Sequence, residues 1–249
     1  MELSGRVALV TGGARNIGRA IAEALAAAGA AVAINTKSSR AEADQVAAAI
    51  LEQGGAAHVI AGDITDERDV ARIVAATVER FGGLDILVNN AAVRRETPID
   101  ELDLARWREA ISVMLEGPFL CIKAALPHLR ASPAGTIVNL GGMTARASVQ
   151  RRAHVIAAKA GLEGLTRALA LDLAADRITV NCVAPGLIDT TRETSSAGPA
   201  AHRTNRELPL GRLAPPAEVA AMVRHLCGPA ARFVTGQVIH VNGGNYLGG

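Results

Sequence analysis

The first stretch with the makings of chemistry is Thr11-Gly12-Gly13-Ala14-Arg15-Asn16-Ile17-Gly18. It follows the apolar run Val7–Val10 and opens a helical pattern from Ile17 to Ala28. Glycines between a strand and a helix permit a tight turn, close approach of a pyrophosphate to the backbone, and close packing of helix on strand. Free N–H groups at the helix start then face the anion. Ordinary turns use glycine too, so it is the position in the first strand-helix unit that points to a dinucleotide. The second strand ends in Asn35-Thr36-Lys37, with no acidic residue to hold a ribose 2′-hydroxyl. Arg15 and Lys37 are placed instead to face a 2′-phosphate, which favours NADP(H) over NAD(H). The alternative is that both are solvated surface cations.

The elements that must position this turn alternate along the whole chain. Strand-like runs are expected at Val7–Val10, Ala31–Ile34, His58–Ala61, Asp85–Val88, Thr136–Leu140, Ile178–Val183 and Gln237–Val241. Helical spacing of apolar residues fills the intervals at Ile17–Ala28, Arg40–Gln53, Glu67–Phe81, Leu104–Leu129, Ala153–Leu173 and Pro216–Cys227, with an irregularity at Gly117-Pro118. Continuous alternation of this kind implies right-handed crossovers and a doubly wound α/β fold, one Rossmann-type domain with a parallel sheet of about seven strands. After Pro185-Gly186 the pattern dissolves, and residues 189–208 read as a mobile lid beside a ligand site.

Composition supports a packed α/β core and excludes several classes. Of the 249 residues, 49% are hydrophobic but only 2% aromatic, so Ala, Val, Leu and Ile must fill a core in which helices lie close on the sheet. The net charge of +2 is too weak to argue for nucleic acid or an anionic membrane as partner. Cys121, Cys182 and Cys227 are widely spaced in apolar stretches, without metal-ligand spacing, and are expected as buried thiols in a reducing compartment. The start Met1-Glu2-Leu3-Ser4-Gly5 lacks the basic start and apolar h-region of a secretory signal, and no apolar stretch is expected to approach the eighteen or so residues of a span. A cytoplasmic location is the expectation.

With these motifs in order, the chain resembles the short-chain dehydrogenases/reductases from end to end. Thr11 to Gly18 matches their Thr-Gly-x-x-x-Gly-x-Gly, with Asn16 in place of the middle glycine, a residue that tolerates positive φ better than other non-glycines. Asn89-Asn90-Ala91-Ala92 is similar to the family's Asn-Asn-Ala-Gly, with Ala92 for the glycine. Asp63-Ile64 resembles the adenine-contacting pair, and Pro185-Gly186-Leu187-Ile188-Asp189-Thr190 the nicotinamide-side loop. The tail from Gly236 to Gly244 fits as well. The branch most resembled is that of the 3-oxoacyl-carrier-protein reductases. The resemblance thus implies cofactor contacts at Gly12, Arg15, Asn16, Ile17, Gly18, Lys37, Asp63, Ile64, Asn90, Ala91, Lys159, Pro185, Gly186, Ile188 and Thr190.

The same resemblance implies four working residues: an Asn, a Ser, and a Tyr-x-x-x-Lys pair sharing one helix face. Lys159 fills the lysine position, where the family holds the cofactor ribose. Val155 stands at the tyrosine position, Gly142 at the serine position and Met114 at the asparagine position. Valine has no proton to give and glycine no hydroxyl to polarise a carbonyl. General acid catalysis contributes about 10²–10⁴ in rate and one oxyanion donor about 10²–10³. The chain's only tyrosine is Tyr246, so no shift of alignment restores the pair.

Candidates to replace these groups are few. His154 is a proton donor near neutral pH by type. Five residues from Lys159, it should point to another helix face, and a solvated or capping histidine is the competing reading. Thr144 and Ser148 offer hydroxyls. Arg94, Arg95, Arg146, Arg151 and Arg152 border the expected cleft and suit a carboxylate or phosphate, or else are surface or subunit-contact charges. Tyr246 reaches a neighbouring subunit's site or packs at an interface. Met114 and Val155 read as cleft wall, which beside the arginines would suit an amphipathic, anionic small-molecule substrate.

Three functions follow as expectations. One is an NADP(H)-dependent oxidoreductase with altered chemistry, with Lys159 and His154 as its catalytic candidates. The second is a silent binding protein or subunit, working as a homo-oligomer (dimer or tetramer) or with an active paralogue through the small-residue face Ala157, Ala160, Gly161, Gly164, Ala168. The third is non-redox chemistry on an acidic substrate.

Overall fold

The computed structural model describes residues 1–190 and 208–247. Seven parallel strands form one sheet in the order β3-β2-β1-β4-β5-β6-β7. They are β1 (Val7–Val10), β2 (Ala31–Thr36), β3 (Ala56–Ala61), β4 (Ile86–Asn89), β5 (Thr136–Leu140), β6 (Thr179–Pro185) and β7 (Val238–Val241). The central strands β1, β4 and β5 are buried at every residue, as a sheet covered on both faces requires. Strand order reverses between β1 and β4, where Ala8 pairs with Ile86 and Val10 with Val88. In open α/β sheets the crevice outside the carboxyl ends at such a reversal is where ligands bind.

The helices are α1 (Asn16–Ala27), α2 (Arg40–Glu52), α3 (Glu67–Phe81), α4 (Leu104–Ile111), α5 (Gly117–Ala131), α6 (Thr144–Ala147), α7 (Ala153–Asp172) and α8 (Pro216–Cys227). Ile17, Ile21 and Leu25 of α1, Val46 and Ile50 of α2, and Val219, Val223 and Leu226 of α8 pack one face of the sheet. Val70, Ile73 and Val74 of α3, Ile122 and Leu129 of α5, and Ala170 of α7 pack the other. Local chemistry fixes the ends. Asp66 accepts from the N–H groups of Arg68 and Asp69, capping α3, and Gly82 closes it at φ 84°. Asp103 caps α4 through the Arg106 N–H at 2.8 Å.

Several expected boundaries shift. β2 runs on to Thr36, because ladder pairing to β3 carries the polar Asn35 and Thr36 into the sheet, while β3 starts two residues earlier at Ala56 and β6 ends two later at Pro185. The short α6 and the single turn Pro229–Ala231 were not anticipated. The irregularity near Gly117-Pro118 is a π-helical segment, Ser112–Glu116, joining α4 to α5. At Gly117 a Cβ would come within 2.7 Å of Ile64 Cδ1, so the start of α5 packs closely on the loop after β3. The continuous helical run Leu104–Ala131 is long and apolar enough to cross a membrane by length and composition, contrary to the expectation of no such stretch. Its buried side chains Cys121, Ile122, Ala125 and Leu129 belong to the sheet's core. On the small-residue face of α7, Gly161 is used within the chain, a Cβ there lying 2.9 Å from Leu115 Cδ2. The expected lid falls for the most part outside the described residues.

Candidate functional site

The turn after β1 is built for a backbone-bound anion. Gly12 has φ 61°, and a Cβ on it would lie 2.9 Å from Ala91 Cα. A Cβ at Gly18 would overlap the Gly12 carbonyl oxygen and come within 2.5 Å of Asn90 Nδ2. Both glycines are therefore required by contact with the loop after β4. Asn16 adopts φ 51°, the left-handed region that asparagine tolerates. Arg15, at the N-cap of α1, makes no side-chain cap and the first turn holds no acidic residue, leaving the leading N–H groups to an outside acceptor.

Asn90 fastens the turn. Its Nδ2 donates to the Thr11 and Gly12 carbonyls at 3.0 and 2.9 Å. The Thr11 hydroxyl oxygen accepts from the N–H groups of Asn90 and Ala91 at 3.0 and 3.2 Å. Behind it, Asn89 Nδ2 donates to Asn139 Oδ1 at 2.9 Å, and Asn139 Nδ2 to Thr166 Oγ1 at 2.9 Å, joining β4, β5 and α7 through buried polar groups.

A cavity opens over the carboxyl ends of β4, β5 and β6. Ile17, Asn90, Lys159, Pro185, Gly186 and Ile188, all expected cofactor residues, line it together. So do Met114, Gly142 and Val155, the three positions where the expected working groups are missing. Met114 and Val155 pack in one buried apolar cluster with Ala110 and Ala158, against Ala92 and Val93. A methionine from the π-helical segment and a valine from α7 thus form a single wall. At Gly142 a Cβ would meet only Thr144 Oγ1, 3.7 Å away, and Thr144 also lines the cavity.

Lys159 is buried, and its Nζ donates to the Leu140 carbonyl at the end of β5. Burial pushes its ammonium down to about 8, and the positive charge of Arg94 adds to the effect. Arg94, on the loop after β4, and Arg152, at the start of α7, line the same cavity. The Arg152 side chain is 8% exposed and reaches Glu96 Oε1 at 3.2 Å. Arg95, Arg146 and Arg151 lie elsewhere. Arg146 holds the buried carboxylate Glu163 at 2.7 Å, a pair that sequence reading missed because its partners lie seventeen residues apart on α6 and α7.

His154 does not join them. It is buried rather than solvated and is not among the residues lining the cavity. Burial lowers its pKa against an opposing hydrogen bond to the Arg95 backbone, with Arg152 lowering it further. Its Nδ1 has no hydrogen-bond partner. Ser148 lies outside the cavity lining, and Tyr246 stacks obliquely on His240 within the chain, ring centroids 4.9 Å apart.

The cofactor residues expected at the far edge are already engaged. Lys37 Nζ lies 2.6 Å from Asp63 Oδ2, and Arg15 Nη1 3.9 Å from Glu42 Oε1. Ile64 is buried against Gly117, which leaves its backbone rather than its side chain for a ligand. Thr190 is buried just past Ile188, whose backbone bridges to Ala214.

Known proteins resemble this chain in sequence and fold. The family model described as enoyl-(acyl carrier protein) reductase matches residues 12–245. A 3-oxoacyl-[acyl-carrier-protein] reductase of Synechocystis is 38% identical over 97% of both chains. A cis-4-hydroxycyclohexanecarboxylate dehydrogenase of Sinomonas cyclohexanicum is 41% identical over 96% of both. The solved structure of a short-chain dehydrogenase from Burkholderia cenocepacia in complex with NADP superposes with a TM-score of 0.91, at 37% identity, covering 98% of this chain and 99% of that one. On these matches and this fold, the chain belongs to the short-chain dehydrogenase/reductase family, in the branch similar to the 3-oxoacyl-carrier-protein reductases.

Proposed function

We propose that this protein is an NADP(H)-binding oxidoreductase whose reaction site works without the family's tyrosine, serine and asparagine. The observation that carries the reading is the joining of a preformed anion-binding turn to a cavity that holds Lys159. The uncapped start of α1 and the glycines at 12 and 18 fit a pyrophosphate, and Asn90, Lys159 and Pro185–Ile188 fit the nicotinamide riboside beyond it. The NADP complex of the Burkholderia relative supports the phosphorylated cofactor. Bound there, the nicotinamide supplies or accepts hydride. Lys159 Nζ holds a proton at the cavity wall, Thr144 offers a hydroxyl near the empty serine position, and the Met114–Val155 wall keeps water from that side. Such a site suits substrates whose reduction needs little proton assistance, such as activated imines or enones. The Sinomonas relative is named for a hydroxy acid rather than an acyl carrier, so a 3-oxoacyl substrate does not follow from the branch alone.

Calorimetric titration with NADPH and NADH, followed by a carbonyl, imine and enone panel, tests the reading. Micromolar NADPH binding and oxidation above the buffer rate support it; binding with no turnover across the panel defeats it. The second outcome would favour a silent subunit, for which the apolar Met114–Val155 wall is the specific observation.

A further inference from the structure

We infer that the cavity recognises its substrate by a carboxylate carried on an apolar body, with Arg94 and Arg152 holding the carboxylate. This names the substrate class of the site just described and rests on that reading only for what becomes of the bound acid. Among the described lining residues there are three cations, Arg94, Arg152 and Lys159, and no acidic side chain. Most of the remaining lining is apolar, with Val93, Met114, Met143, Val155 and Leu187 among it. Arg152 and Lys159 are buried and Arg94 is exposed, so the fields of the first two are screened less than that of the third, and a lining with this excess of cations interacts best with an anion.

The two arginines come from different segments held in register. The Thr97 N–H donates to the Arg151 carbonyl at 2.7 Å, tying the loop that carries Arg94 and Glu96 to the residue before Arg152. Arg152 meets Glu96 through Nη2, a pair that orients the planar guanidinium and its fork of N–H donors at the cavity. Planar, two-pronged donors match a carboxylate better than a point charge does. The charge of Arg94 also bears on Lys159, adding to the effect of burial in pushing its ammonium down.

The test is calorimetry on the whole chain at pH 7, with hexanoate, its uncharged amide and inorganic phosphate as probes, each with and without NADPH. Hexanoate is expected to bind at least ten-fold tighter than the amide, and Arg94→Met and Arg152→Met each to weaken it at least five-fold. Arg94→Lys, which keeps the charge and loses the fork, should weaken it less than Arg94→Met. Thermal unfolding of each variant guards against loss of fold, and Arg94→Met decides the matter if Arg152→Met unfolds. Equal binding of acid and amide, phosphate as tight as hexanoate, or hexanoate binding indifferent to both arginines would overturn the inference. Hexanoate binding that persists when NADPH does not bind would sink the oxidoreductase reading and leave this one standing.

Discussion

Lys37 Nζ sits 2.6 Å from Asp63 Oδ2, across the carboxyl ends of β2 and β3. Burial pushes the Asp63 carboxyl up, but the hydrogen bonds from Lys37 and from Thr65 outweigh it and hold the group below its ordinary value. Lys37 itself is 71% exposed, and an exposed pair of this kind is worth about 0–1 kcal/mol, so a ligand phosphate can compete for the ammonium. Lys37→Ala is expected to weaken NADPH about five-fold and leave NADH unchanged, a cost of about 1 kcal/mol for a lost surface cation. Calorimetric affinities for both cofactors check this, and equal weakening of the two would place Lys37 outside phosphate recognition.

Gly18→Ala should abolish dinucleotide binding. The added methyl would overlap the Gly12 carbonyl and crowd Asn90 Nδ2, both parts of the rigid turn. Overpacking of this sort costs about 1–3 kcal/mol in stability. Loss of NADPH binding with a lowered melting temperature is the expected pair of results; wild-type affinity would show that the turn is not where the cofactor lies.

Lys159 makes stability depend on pH in a defined direction. Its folded-state value of about 8 lies below the ordinary 10.5, so between those values the unfolded chain holds a proton that the native one has released. Stability therefore rises with pH across that window, and below it the full cost of burying the ammonium remains. At 1.36 kcal/mol per pH unit the rise is on the order of 3 kcal/mol. Denaturant unfolding of wild type and Lys159→Met at pH 7.5, 9 and 10.5 isolates it: the variant should lack this slope, and parallel curves would show that Lys159 titrates normally.

Gly142→Ser should fold without strain, because its φ is not positive and a Cβ meets only Thr144 Oγ1 at 3.7 Å. Val155→Tyr has the cavity to project into, at a repacking cost of about 1–3 kcal/mol against Met114. Together they restore a hydroxyl and a proton donor beside Lys159. NADPH-dependent ketone reduction in the double variant is expected to exceed wild type about 10²-fold or more, from the usual worth of a general acid. Single-turnover rates measure it, and no gain would mean the cavity does not place a carbonyl there.

The sheet was legible because β1, β4 and β5 are buried on both faces and so read as short, mostly apolar runs, β1 unbroken and the other two carrying only Asn89, Thr136 and Asn139. The glycine turn was legible because its demands are local, as the φ values at Gly12 and Asn16 show. What sequence did not disclose depends on segments distant in the chain. The Lys37–Asp63 pair exists only because β2 and β3 lie side by side with Thr36 opposite Ala61. Periodicity placed His154 on a different face from Lys159, but not that the fold would bury it with its ring against the Arg95 backbone. The union of Met114 and Val155 into one wall needed the π-helical segment and α7 to be brought together.

The three cysteines give the folded chain a built-in tracer. Cys121, Cys182 and Cys227 are all buried, and burial pushes each thiol up to about 12, so almost no thiolate is present at neutral pH. A thiol reagent added to native protein should count molecules that have opened rather than a reactive side chain. Its slow uptake would report the opening rate with no engineered label, and a single cysteine introduced on the surface would be the one fast site in the molecule.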